Sequence, residues 1–324
     1  MREKVFVTRR IPQPGLDLLE KQFNLSVNPY NRVLSRKELM KGIKGADALL
    51  CLLTDTIDGE VMSVNPRLKI IANYAVGYNN IDVEEATKRK IPVTNTPGVL
   101  TDTTADLTWA LLLSIARRTP EGDKFTRIGK FKGWDPMLLL GSDVYKKTLG
   151  IIGFGRIGYA VAKRAIGFDM RVLYYDVNRV NTEIEKEVKA EFMSFENLLR
   201  ESDFISIHTL LTKETTHLIG EKAFSLMKKN AYIINAARGP IIDEKALVKV
   251  LKEKRIAGAA LDVYEYEPKL AQGLSKLNNV VLLPHLGSAT IETRTKMAVI
   301  AAENIVARLT GKTPPSIVNP EVLK

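Results

Sequence analysis

Short apolar runs alternate with helix-patterned stretches along most of this chain, and they do so in two separate series. In the first, KVFVT (4–8), LSVNP, DALLCLL (47–53), KIIANYA (69–75) and PVTN (92–95) are spaced by helical patterns near 14–22, 35–42, 59–63 and 82–89. In the second, strands are predicted at 148–153, 171–175, 204–208, 231–236, 258–263 and 280–284, with helices between most of them. Continuous apolar strands separated by helices belong to parallel sheets covered on both faces, because a crossover must carry the chain back before the next parallel strand can pair. The fold class is therefore α/β, with two doubly wound parallel-sheet domains of the Rossmann-like or flavodoxin-like kind.

The stretches between and after the two series set the domain limits. In TNTPGVLTDTTADLTWALLLSIARR, Pro97-Gly98 punctuates the chain and Thr101 or Asp102 is placed to cap a helix with Asp106 in its first turn. Leu107, Ala110, Leu111 and Ser114 recur on one face, and Leu112, Leu113 and Ile115 widen it, which predicts a buried helix crossing between domains. A second long helix is expected from about Thr290 to Leu309, ended by Gly311. Its length of roughly 30 Å would return the chain to the first domain, where PPSIVNP would pack. The expected organisation is discontinuous: residues 1–98 and 290–324 form one domain, and 99–289 form a second domain inserted in it. A length of 324 residues favours two domains on its own account.

Composition narrows the setting. The chain is 45% hydrophobic and 26% charged, which argues against disorder. Its single cysteine, Cys51, lies in an apolar run, so it reads as a buried inert thiol in a reducing compartment. MREKVFVTRR is a charged strand and not a signal peptide, and no apolar stretch reaches spanning length, so a cytoplasmic protein without a membrane partner is expected. The net charge of +11 is spread among acids, as in EIEKEVKAE and VKVLKEKR. That pattern reads as a solvated surface and not as a nucleic-acid face, although a basic field helps attract a small anionic substrate.

LGIIGFGRIGYA places a G-x-G-x-x-G at Gly153, Gly155 and Gly158. The motif alone is weak, but here it has strand TLGIIG before it, helix RIGYAVAKRAIGF after it, and then strand RVLYYD. Gly153 permits the tight turn, Gly155 lets the backbone approach a pyrophosphate and Gly158 lets helix pack on strand. The helix N-terminus supplies N–H groups and positive dipole. Asp176, 18 residues beyond Gly158, is placed to accept hydrogen bonds from the adenosine ribose and to repel a 2′-phosphate. The cofactor expected is NAD, with NADH preferred over NADPH, and Arg179 lies close enough to soften that preference.

Three later stretches end strands of the same sheet. IINAARGP sets Arg238 just past a strand, GAALDVYEYEP sets Asp262 at the end of another with Glu265 and Glu267 following, and NVVLLPHLGS sets His285 past a third. The carboxyl edge of an open α/β sheet is where ligands bind. Arg238 can pair with a substrate carboxylate through both its nitrogens and polarise the neighbouring carbonyl. His285 can hand a proton to the carbonyl oxygen as hydride reaches carbon, and a glutamate on its other nitrogen would fix the tautomer and raise its pKa. Spacing does not choose between Glu265 and Glu267. His208, in an apolar strand, reads as structural or cofactor-adjacent, and His217 as a residue approaching a helix. No metal site is read.

GIIGFGRIG, INAARGPIID, GAALDVYEYEP, NVVLLPHLGSAT, ANYAVGYNNID and TNTPGVLTDTTADL, taken in order, resemble the D-isomer-specific 2-hydroxyacid dehydrogenase family over most of the chain. The resemblance implies a homodimer, an NAD(P) domain inserted in a substrate domain, and a catalytic set of Arg238, Glu267 and His285, with the acid being the one before Pro268. It implies substrate contacts from the Val76 and Gly77 main chain and a side-chain pocket lined by Leu52 and Leu53, with Arg238 and His285 completing the substrate set. For the cofactor it implies Thr104, Gly153, Phe154, Gly155, Arg156, Ile157, Gly158, Asp176, Thr209, Leu210, Ala236, Ala237, Asp262, His285 and Gly287.

Within the family, ANYAVGYNNID, GWDPMLLLGSDVYKKTLGIIG and PPSIVNPEVLK are most similar to glyoxylate/hydroxypyruvate reductases, and Trp134 would lie in a dimer-forming segment near the partner's active site. HTLLT lacks a proline often found there. Asp176 and Val177 stand where similar NADP-using reductases carry a small residue and arginine, which supports NAD. The chain stops at Lys324, without length for the added regulatory domain of many phosphoglycerate dehydrogenases. The expected activity is reduction of glyoxylate or hydroxypyruvate. Its rivals are a dehydrogenase of another small D-2-hydroxy acid and, from a different class, a non-catalytic NAD-sensing protein like the corepressors of this fold.

Overall fold

The computed structural model describes residues 2–323; Met1 and Lys324, the outer limits of the expected substrate domain, lie outside the described residues. The chain forms two compact units, one running to Leu100 and resuming at Ser288, the other Thr101–Gly287.

In the first unit, β1 (Lys4–Val7), β2 (Asn24–Val27), β3 (Ala48–Leu52), β4 (Ile70–Tyr74) and β5 (Val93–Thr94) form a parallel sheet in the order β2-β1-β3-β4-β5. The alternation of strand side chains explains the unbroken apolar runs. Val5, Val7, Ala48, Leu50, Ile70 and Ala72 enter one core, and Phe6, Leu49, Cys51 and Ile71 enter the other. The first core is roofed by helices Gln13–Glu20 and Ile291–Leu309, which contribute Leu16, Leu19, Ala298, Ala302 and Ile305. Thr290 caps the long helix by accepting the Thr293 N–H, and Gly311 ends it at φ 80°. Beyond it, Val318 N–H donates to Val93 O and Ile317 bridges Thr94 antiparallel, so the C-terminal stretch covers the β5 edge.

In the second unit, β6 (Thr148–Ile152), β7 (Arg171–Tyr175), β8 (Ala190–Phe192), β9 (Phe204–Ile207), β10 (Tyr232–Asn235), β11 (Gly258–Leu261) and β12 (Val280–Leu282) form a parallel sheet in the order β12-β11-β10-β9-β6-β7-β8. Strand order reverses between β6 and β9, which opens a crevice at the carboxyl edge. β8 is the one strand the sequence pattern misses. It has three residues at the sheet edge and only Ala190 is buried, so it has no apolar run to announce it.

Of the two long helices, Thr101–Arg117 belongs to the second unit and Ile291–Leu309 to the first. The buried face of Thr101–Arg117 is Thr104, Ala105, Thr108, Trp109, Leu111, Leu112, Ile115 and Ala116, and Ala110 is exposed. Trp109 decides the rotation. Its ring stacks on Phe168 at 4.7 Å between centroids and its Nε1–H donates to Val161 O at 3.1 Å.

Candidate active site

The glycine turn begins where β6 ends. Gly153 sits at φ 90°, and a Cβ there would meet Thr209 N at 2.5 Å, so only glycine lets the turn pass the end of β9. A Cβ on Gly158 would strike the Gly153 carbonyl, so this glycine brings helix Arg156–Ala165 down onto the turn. Gly155 differs: nothing lies within 4 Å of the position its Cβ would take. The open space there, beside a helix start with no side-chain cap, is the cradle a pyrophosphate needs. The residues present therefore fit a dinucleotide. Phe154 offers only its main chain, because its ring is buried against Tyr174 at 4.1 Å. Arg156 is exposed and Ile157 half-buried.

Asp176 follows β7 and addresses this turn directly. Its Oδ2 accepts the Phe154 N–H at 2.6 Å and its Oδ1 the Asn178 N–H at 3.3 Å. The remaining lone pairs leave it able to accept from a ribose as well. Arg179 is engaged elsewhere, forked onto Glu185 with both contacts at 2.8 Å.

Three loops at the same edge carry the candidate chemistry. After β10, the Asn235 side chain accepts the Ala237 N–H at 3.0 Å and donates to Arg238 O at 2.9 Å, folding the backbone around Arg238. Arg238 Nη1 donates to Ala237 O at 2.7 Å, burial lowers the guanidinium's pKa and the charge of Glu267 opposes that shift. A Cβ on Gly239 would collide with the Tyr264 backbone, so glycine is required where the loop after β10 meets the loop after β11. In that second loop Glu267 Oε2 lies 3.0 Å from His285 Nδ1, and Glu267 Oε1 accepts the Tyr264 N–H at 3.1 Å. Burial pushes Glu267 up, yet the His285 hydrogen bond, the Tyr264 N–H and the charge of Arg238 together bring it below the ordinary carboxylate value.

The third loop, after β12, is fixed from behind. Asp262, fully buried, accepts the Leu286 N–H on Oδ1 at 2.6 Å and the Gly287 N–H on Oδ2 at 2.8 Å, and its carbonyl accepts His285 N–H at 2.9 Å. Burial raises its pKa against those hydrogen bonds. Thr104 Oγ1 donates to Gly287 O at 3.0 Å from the other side. His285 itself adopts φ 56°, a left-handed conformation that histidine tolerates better than most side chains.

The structure separates the two acids that spacing leaves open. Glu265 Oε1 pairs with His217 Nε2 at 2.9 Å, and its backbone N–H donates to buried Glu244 at 2.7 Å. His208 lies just past β9, its Nε2 2.7 Å from Ser206 Oγ, and burial pushes its pKa down to about 3. Leu210 is exposed, with its carbonyl taken by Thr215; Thr209, Ala236 and Ala237 are half-buried. A cavity of about 750 Å³ at the opposite edge, lined by Lys229, Tyr232, Lys252, Asn279 and Val280 among others, includes none of these residues.

In the first unit, Leu52 ends β3 with Leu53 just past it, and Val76 and Gly77 follow β4. Among the described residues nothing accepts the N–H of Val76 or Gly77, while their carbonyls are taken by Asn95 at 2.8 Å and Asn73 at 2.9 Å. Asn80 Nδ2 donates to Leu52 O and Asp55 O, both at 3.1 Å, and Asn73 Nδ2 donates to Asn80 Oδ1 at 3.1 Å. Sequence reasoning passed over these asparagines and Asn235. The available signal was an amide side chain at a strand end or in the turn that follows, where such groups hold backbone.

A dinucleotide turn sharing one sheet edge with an arginine and a carboxylate-held histidine defines a nicotinamide-dependent oxidoreductase of α/β type. Residues 109–287 match the NAD binding domain of the D-isomer specific 2-hydroxyacid dehydrogenases, and the chain belongs to that family. It is thus an NAD(P)-dependent enzyme that interconverts a small 2-oxo acid and its 2-hydroxy acid. A glyoxylate reductase of Thermococcus kodakarensis is 55% identical over 328 residues, covering 100% of this chain and 98% of that protein. The crystal structure of the TT0316 protein of Thermus thermophilus is 45% identical with a TM-score of 0.91, covering 97% of this chain and 99% of that one. An NADPH-dependent glyoxylate/hydroxypyruvate reductase of Sinorhizobium meliloti, solved with NADP and malonate, is 28% identical with a TM-score of 0.88, covering 98% and 97%. Among the described residues no helix is long and apolar enough to cross a membrane.

Proposed function

We propose that this dehydrogenase is a cytoplasmic homodimer that reduces glyoxylate and hydroxypyruvate, taking NADH in preference to NADPH. The observation that carries the catalytic part is the 3.0 Å contact of Glu267 with His285 Nδ1, which leaves Nε2 as the nitrogen that gives up a proton. The second unit serves as the nucleotide domain. Its cofactor set is the glycine turn of Gly153–Gly158 with Asp176, joined by Thr104, Thr209, Leu210, Ala236, Ala237, Asp262, His285 and Gly287. The bound nicotinamide supplies the hydride.

The first unit serves as the substrate domain. In the first unit the unpartnered N–H groups of Val76 and Gly77 are the donors for a substrate carboxylate; in the second, Arg238 is the cation that pairs with a carboxylate and draws electron density from the neighbouring carbonyl. His285 protonates the carbonyl oxygen, and Glu267 holds the imidazole in the donating tautomer and offsets its charge. Leu52 and Leu53 leave room for a short side chain. Support for the substrate comes from the reductases this chain resembles, and support for NADH from Asp176, whose charge repels a 2′-phosphate. Support for the dimer is the run of exposed apolar side chains Ile128, Phe131, Trp134, Met137 and Leu140, an unusual density for a free surface.

The test is NADH consumption with glyoxylate, hydroxypyruvate, pyruvate and oxaloacetate, each repeated with NADPH. Fastest turnover of the first two with NADH is expected. Preference for another oxo acid would reassign the substrate. Bound NADH with silence on all four would overturn the catalytic reading in favour of a sensor.

A further inference from the structure

We propose that Glu185 sets the cofactor preference from outside the binding loop, by holding Arg179 away from the place a 2′-phosphate would occupy. This rests on the NADH preference proposed above. The loop that follows β7 reads Asp176, Val177, Asn178, Arg179, Val180, Asn181, and Arg179 is its only cation. In sheets of this winding, that loop receives the adenosine ribose, and an arginine there accommodates the 2′-phosphate of NADP. Val177 is 85% exposed and offers no charge. Discrimination at this loop therefore depends on Asp176, which repels, and on whether Arg179 is available to attract.

Arg179 is committed on two sides. Its Nε and Nη2 reach the two oxygens of Glu185, each at 2.8 Å, in the fork geometry that makes arginine–carboxylate pairs strong. Its guanidinium also lies 5.8 Å from the Phe192 ring centre on β8. Glu185 is itself anchored. It is buried, projects from helix Thr182–Val188, and accepts the Tyr174 hydroxyl at 2.7 Å. That hydroxyl accepts the Val180 N–H at 3.2 Å, which ties the pair to the backbone next to Arg179. The Arg179 and Tyr174 hydrogen bonds hold Glu185 at a pKa of about 2, so the carboxylate of the clamp is ionised at neutral pH. A 2′-phosphate must then displace a charge-matched partner from Arg179 before it gains one, while it faces Asp176 throughout.

Glu185→Gln tests this with little risk to folding, because the amide oxygen can still accept the Tyr174 hydroxyl. The readout is calorimetric binding of adenosine 2′,5′-bisphosphate against 5′-AMP, fragments that report the adenosine end without turnover. Wild type is expected to favour 5′-AMP. Glu185→Gln is expected to tighten the bisphosphate about tenfold and leave 5′-AMP and NADH-linked turnover unchanged. Arg179→Ala should cancel the gain in the Glu185→Gln background and change little in wild type. If wild type discriminates and Glu185→Gln discriminates equally, the clamp is wrong and the NADH reading stands. If wild type binds the bisphosphate as well as 5′-AMP, the NADH reading fails and the clamp with it.

Discussion

Two sheets of related winding carry two differently built crevices. In the first unit strand order reverses between β1 and β3, and in the second between β6 and β9, so each has a topological switch point at its carboxyl edge. The second is kept open. Glycines 153 and 158 let backbone pass backbone, and the space beside Gly155 and the uncapped helix start stays clear of side chains. The first is laced shut by side chains. Thr8 donates to Asp55, Asp55 accepts the Leu52 N–H at 2.8 Å, and Asn80, Asn73 and Asn95 take the carbonyls around them. A crevice for a large polyanion needs bare backbone and dipole, whereas one that grips a small carboxylate needs two amides held still. On the function proposed above, the same winding would give a cofactor edge in one unit and a positioning edge in the other.

The largest effect expected from breaking this division is on the chemical step. His285→Ala should lower kcat by roughly a thousandfold, the range typical of a lost general acid, and leave NADH binding unchanged. A rate within threefold of wild type would remove His285 from the role. Asp262→Asn should be the next largest. Its two oxygens each accept a separate backbone N–H, and an asparagine would turn an NH₂ toward one of them. Leaving that group unmatched in a buried site costs about 1–3 kcal/mol, so denaturant titration should show the loss. Because the strained loop carries His285, kcat should fall with it. Unchanged stability would mean that Thr104 and the main-chain bond from His285 N–H to Asp262 O hold the loop without the Asp262 carboxylate.

The two edges were not equally legible in the sequence. Arg238 and His285 stood out because strand-ending motifs carry their chemistry in the residue type, and the glycine turn because its spacing is a steric requirement; Glu267 was singled out only by the family resemblance. Strands were legible because both faces of each sheet are covered, which leaves runs such as ALLCL uninterrupted. Where that condition lapses, as in the edge strand Ala190–Phe192, the signal vanishes, and with it the view of how Arg179 and Glu185 come together. Spacing also did not tell Glu265 from Glu267, since the choice is made by a loop that returns one to His285 and the other to His217. The lacing of the first edge was hidden for the opposite reason. Asn73, Asn80 and Asn95 are common turn residues, and their partners lie 4 to 28 residues away.

That lacing predicts an intermediate effect. Asn80→Asp would point a carboxylate oxygen at Leu52 O and Asp55 O in place of the amide that donates to both. If this edge positions substrate and the other binds cofactor, KM for the 2-oxo acid should rise about tenfold, the scale of a mispositioned contact, with NADH affinity untouched. A parallel loss of NADH affinity would mean that the two edges are not separable in function.

The smallest effect belongs to Asp55, and it sharpens the comparison because Asp55 and Asp262 are the buried aspartates of the two edges. Asp262 spreads its acceptors over both oxygens; Asp55 takes Thr8 and the Leu52 N–H on Oδ2 alone, a pattern an asparagine oxygen can copy. Burial raises the Asp55 pKa above its ordinary value of 3.8, outweighing the hydrogen bonds and the nearby charge of Arg9. A carboxyl raised on folding stabilises most when protonated, and that contribution is lost as pH rises through the folded pKa. Asparagine stays neutral throughout. Asp55→Asn should therefore gain on wild type as pH rises from acid toward neutral, by no more than about 1 kcal/mol because both hydrogen bonds survive. A thermal-melt series in which the variant loses ground as pH rises would show that the Asp55 charge stabilises the first edge, as a carboxylate paired with Arg9 would.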